Sequence, residues 1–123
     1  MASDFARAAL ADASLTGELE GYTGYGASGS PGGGPYVELW IKVADGKVVA
    51  ATYHANGCPS MQMAGATLAK ICHGRAVANL SQLEPCDLDA LIGGLPEGKG
   101  YCADQAIVAL QAALKNFSDL KSK

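Results

Sequence analysis

The 123-residue chain is long enough for one domain with a modest core, and no second domain is needed. Its nine basic residues are scattered and outnumbered by twelve acidic ones, for a net charge of −3, so there is no basic stripe to neutralise a run of phosphates and nucleic acid is not an expected partner. No apolar run approaches the ~18 residues that span a bilayer, and Met1-Ala2-Ser3-Asp4 opens no basic or apolar leader, so the chain reads as cytoplasmic with no membrane partner.

Ser3-Asp4 caps a short helix through about Ala13, with Phe5, Ala8, Ala9 and Asp12 marking one weakly apolar face. From residue 14 to 35 the periodicity dissolves into a glycine-rich segment, expected to be a flexible part of a single 1–123 domain. A phosphate-cradling loop is the sharper alternative there, but no Gly-Lys-Ser/Thr ending and no preceding strand support it. Tyr36 to Val43 alternates, with Val37, Leu39, Ile41 and Val43 on one side and Tyr36, Glu38, Trp40 and Lys42 on the other, which predicts a half-buried strand. Asp45-Gly46 supplies a hairpin turn, and Lys47 to Ala55 returns as a second strand.

That hairpin delivers the chain to Gly57-Cys58-Pro59-Ser60. A helix follows from Pro59 to about His73, with Met61, Ala64, Leu68, Ile71 and Cys72 on one face and Gly74 suited to its C′ position. Residues 76–83 hold one or two helical turns, and Pro85 starts another helix that Gly93-Gly94 ends. A loop, Leu95-Pro96-Glu97-Gly98-Lys99-Gly100, precedes a last helix from Cys102 through Ala106, Ala109, Leu110, Ala113, Leu114 and Phe117. Strands followed by a run of helices predict an α+β fold, a small antiparallel β-sheet with helices packed on one face.

Cys58 and Cys102 are the leading chemical pair. Each opens a helix, where unpaired N–H groups and the positive dipole end favour thiolate, and each follows a glycine-containing loop with room for a ligand. Four cysteines admit three disulfide pairings, but a reducing compartment keeps them as thiols. Cys72 and Cys86 read as core residues. His54, four residues before Cys58, is an additional candidate ligand if the strand end curls inward. His73 suits a helix C-terminus, Asp104 a helix start, and Met61 and Met63 a helix core. No Cys-x-x-Cys pair is present, and a nucleophilic Cys58 with His54 as base lacks any visible oxyanion hole.

With these residues in hand, the stretch from about Tyr36 to Leu114 resembles the iron-sulfur cluster assembly scaffold family of IscU and the N-terminal domain of NifU. Tyr36-Val37-Glu38-Leu39-Trp40-Ile41-Lys42-Val43 and Asp45-Gly46-Lys47 are similar to that family's first hairpin. Asn56-Gly57-Cys58-Pro59-Ser60 is similar to its Gly-Cys-x-Ser segment, and Cys72-His73-Gly74-Arg75-Ala76-Val77 to its Lys-Gly-Lys-x-Val helix exit. Leu95, Pro96 and Lys99 match parts of its Leu-Pro-Pro-Val-Lys chaperone-docking motif, and Gly100-Tyr101-Cys102 falls where the family has a His-Cys pair.

The resemblance implies ligation by three cysteines plus a histidine or aspartate, and here it matches only Cys58 and Cys102. The first cysteine falls at about Gly33, the aspartate at about Pro35 and the histidine at Tyr101; glycine and proline offer no side-chain donor, and a phenol is a poor ligand for soft metals. An iron-sulfur cluster, zinc or iron therefore needs a second copy of the chain or small thiols to complete four donors. The implied partners are a cysteine desulfurase, a chaperone or another assembly protein, and a homodimer. The rival expectation is a cluster-less adaptor that keeps the fold and docks those partners, and neither reading makes the chain an enzyme.

Overall fold

The computed structural model describes residues 4–29, 36–57, 59–94 and 101–121. Helix α1 (Asp4–Ala11) and a 3-10 turn (Ala13–Leu15) precede three strands, β1 (Gly24–Gly29), β2 (Tyr36–Ala44) and β3 (Lys47–Asn56). Helices α2 (Pro59–Cys72), α3 (Val77–Leu80), α4 (Pro85–Ile92) and α5 (Tyr101–Lys121) complete the α+β chain. The strands form one antiparallel sheet in the order β1-β2-β3. Among the described residues no helix is long and apolar enough to cross a membrane.

The β2–β3 turn closes on Asp45 (φ 53°) and Gly46 (φ 77°), two consecutive positive φ values that match the right-handed twist of the flanking strands. Alternation sends Val37, Leu39 and Ile41 of β2, with Tyr53 and Ala55 of β3, to the side covered by α2 and α5. Leu68 and Leu110 from those helices complete the core with Leu88 and Ile92 of α4. α4 is set by local chemistry. Pro85 stands at its start, Glu84 and Asp87 form a reciprocal capping box, and left-handed Gly93 (φ 98°) ends it.

Two expectations are corrected. The reading of 14–35 as a flexible connector fails over Gly24–Gly29, which is the edge strand β1; residues 30–35 lie outside the described set. Glycine stands there because α5 lies so close that a Cβ built on Gly26 would sit 2.2 Å from Ala109 O and Ala113 N. Nor is β2 half-buried, since Tyr36 and Trp40 on its other side are only 8% and 7% exposed. Gly17 N–H donates to Tyr53 O at the outer edge of β3, whereas Thr23 N–H donates to Ile41 O beside β1. The intervening segment thus crosses the sheet on the side away from the helices, where Gly21 meets the Lys42 side chain.

Candidate functional site

One end of the sheet gathers the segments that carry the candidate residues. Gly29 pairs with Tyr36, and Tyr36 with Asn56, so β1 ends, β2 begins and β3 ends on one level. β3 leaves through Gly57, whose φ of 139° only glycine adopts readily, and α2 starts at Pro59. Gln62 ties the first turn of α2 to this end by donating to Ala55 O at 2.6 Å. α5 runs antiparallel to β1: Gly24 faces Ala113 and Phe117, whereas Gly26 faces Ala109 and Ala113. Helix numbers fall as strand numbers rise, so the Tyr101-Cys102 start of α5 lies toward the same end.

Cys102 is fully buried in the first turn of α5, and Tyr101 beside it is 42% exposed. Cys58 itself lies outside the described residues, but its neighbours Gly57 and Pro59 are exposed. Gly33, Pro35, Leu95, Pro96 and Lys99 also lie outside them. His54 is placed elsewhere. Its neighbours Tyr53 and Ala55 face α2, so alternation turns His54 to the opposite side of the sheet, where its Nδ1 stands 3.0 Å from Tyr36 Oη and 3.3 Å from Glu38 Oε1. The inward curl that would carry it toward the thiols is not seen in β3. Among the described residues no group of three His, Cys, Asp or Glu side chains is arranged to hold a metal.

The remaining cysteines behave differently from one another. Cys72 is fully buried, and burial pushes its thiol from 9.0 up to about 12. Cys86 is exposed in the first turn of α4, not a core residue as expected from the sequence, because Leu88 alone takes the inward position of that turn. In the folded protein iodoacetamide should therefore modify Cys86 and spare Cys72, as peptide mapping would show. The folded state holds the Cys72 proton after the unfolded chain has released its own, so this residue makes stability fall as pH rises from about 9 towards about 12. Urea midpoints across that range should fall less steeply in Cys72→Ala.

A polar cluster on the helix-free side escaped sequence reasoning. Tyr25 Oη donates to Glu38 Oε2 at 2.6 Å and packs its ring 5.3 Å from that of Trp40, while Glu38 and Tyr36 both meet His54. Burial and the Glu38 carboxylate raise the Tyr25 phenol to about 12. The alternation of β2 already placed Tyr36 and Glu38 on one side; Tyr25 was hidden in the segment read as a connector.

A three-stranded antiparallel sheet with helices on one face, and with two helix starts and a strand end gathered at one end of the sheet, is the IscU-like α+β fold. The chain belongs to the IscU/NifU-like iron-sulfur cluster assembly scaffold family: the NifU-like N terminal domain matches residues 9–123. It is 32% identical over 103 residues to the bifunctional protein NifU/MnmA of Rubrobacter xylanophilus, covering 82% of this chain and 21% of that protein. Over 101 residues it is 24% identical to the iron-sulfur cluster assembly scaffold protein IscU 1 of Archaeoglobus fulgidus, covering 82% of this chain and 66% of that one. The chain thus spans less than two thirds of either relative. The crystal structure of a NifU-like N-terminal protein from Brucella abortus shares the fold, with a TM-score of 0.64 at 15% identity, covering 98% of this chain and 94% of the other.

Proposed function

We propose that this domain accepts sulfur at Cys58 and, with Cys102, holds a nascent iron-sulfur cluster as cargo. The observation that carries the reading is the convergence of the β3 exit and the α5 start at one end of the sheet, in a chain of the scaffold family. Exposed Gly57 and Pro59 flank Cys58, whereas Cys102 is buried, which makes Cys58 the first acceptor. In the transfer a Cys58 thiolate attacks the terminal sulfur of a donor persulfide. The donor S–S bond breaks, the donor leaves as thiolate, and Cys58 becomes the persulfide with no net oxidation.

Two thiols do not close a tetrahedral site, and Gly33, Pro35 and Tyr101 stand at the family's other donor positions. Cluster-loaded protein should therefore be a dimer with two cysteines from each copy. The partners on this reading are a cysteine desulfurase as sulfur donor and a chaperone that docks at Leu95, Pro96 and Lys99. Anaerobic reconstitution with iron and sulfide, followed by visible absorption, bound-iron assay and mass determination, checks this. Iron and acid-labile sulfide should travel with a dimer and be lost in Cys102→Ser. Colourless, iron-free protein that still binds a desulfurase would instead favour the adaptor reading, which the missing donors at Gly33, Pro35 and Tyr101 motivate.

A further inference from the structure

We propose that Tyr36, Glu38 and His54 form a second, independent site, for ferric iron, on the sheet face opposite the helices. The three residues come from two adjacent strands, with Glu38 directly across from His54 and Tyr36 two residues before Glu38 on the same side of β2. His54 Nδ1 lies 3.0 Å from Tyr36 Oη and 3.3 Å from Glu38 Oε1. Ligand atoms bound at roughly 2.0–2.2 Å, with angles between octahedral and tetrahedral, stand about 2.8–3.6 Å from one another. Both distances therefore fall in the range of a shared ion, without rotation of the strands.

The donor set selects the ion. An imidazole nitrogen, a carboxylate oxygen and a phenol oxygen are hard to borderline ligands with no sulfur among them, unlike the pair Cys58 and Cys102. Ferric iron suits them best because its charge is high enough to displace a phenol proton: as the Fe–O bond forms, the Tyr36 proton passes to water, and no electron is transferred. The carboxylate is held from behind, since Tyr25 Oη donates to its other oxygen at 2.6 Å. The His54 side chain is 53% exposed and that of Glu38 only 16%, so an ion can enter past the imidazole and complete its coordination with water.

The site does not depend on Cys58 or Cys102, and its test separates the two. Ferric citrate is added to the full chain, and the phenolate-to-iron charge-transfer band is followed in the visible range. The band is expected in the wild type and, undiminished, in the Cys58→Ser/Cys102→Ser variant. Tyr36→Phe should abolish it while keeping the packed ring, and His54→Gln should weaken iron binding by more than about tenfold. Tyr25→Phe should keep the band and cost about ten- to a hundredfold in affinity. No band in the wild type, a band that survives Tyr36→Phe, or one that disappears with the two thiols would overturn the proposal. If Tyr36→Phe does not fold by circular dichroism, the half-exposed His54→Gln decides the matter.

Discussion

Replacing Gly26 by alanine should destabilise the domain by about 3 kcal/mol or more, at or beyond the upper end of ordinary overpacking. The added Cβ would stand 2.2 Å from Ala109 O, 2.2 Å from Ala113 N and 2.8 Å from Ala112 C. All three are backbone atoms inside α5, so no side-chain rotation relieves the clash. Relief requires α5 to lift from β1, breaking the contact on which the placement of its Cys102 start depends. Gly24→Ala should cost less, because two of its three nearest atoms, Ile41 Cγ1 at 2.9 Å and Phe117 Cβ at 3.0 Å, belong to side chains. Urea unfolding of both variants measures the order. A loss below about 1 kcal/mol for Gly26→Ala would mean that α5 does not lie against β1 as described.

The same contact explains what the sequence showed and what it concealed. β2 and β3 were legible because Val, Ile and Leu alternate and Asp45-Gly46 marks the turn. α2 and α5 were legible from their 3.6-residue period and from Gly74 and Pro59 at their punctuation points. β1 was not, because Gly24, Gly26 and Ser28 carry no apolar alternation. A strand that takes a helix backbone against its face must give up the side chains that identify strands. The burial of Trp40 was concealed for a similar reason, since the ring that packs on it, Tyr25, belongs to the strand that no local pattern announces.

The chemical residues divide along the same line. Two thiols at helix starts can be read directly from Gly57-Cys58-Pro59 and Gly100-Tyr101-Cys102, because that placement is a property of the local chain. That their segments converge follows only from the register of Tyr36 with Asn56 and from the direction of α5 along β1. His54 was linked to Cys58 by proximity in sequence, and strand alternation turned it to the other side of the sheet. There it joins Glu38 and Tyr36, partners that lie 16 and 18 residues away along the chain.

The other large expected effect is on sulfur transfer, where Cys58→Ser should remove essentially all acceptance. A serine hydroxyl cannot take the terminal sulfur of a persulfide. Cys102 is too deeply buried to substitute as first acceptor, and burial of Cys72 raises its thiol well above the usual range, so it offers little thiolate. Cys86 is exposed but sits on α4, which is neither the β3 exit nor the α5 start that form the proposed site. The decisive measurement is the peptide mass after anaerobic incubation with a cysteine desulfurase and L-cysteine. Acceptance at Cys58 requires a one-sulfur increment on the Cys58 peptide of the wild type and none on any peptide of Cys58→Ser. Equal sulfur acceptance by wild type and Cys58→Ser, or an increment confined to Cys86, would contradict it.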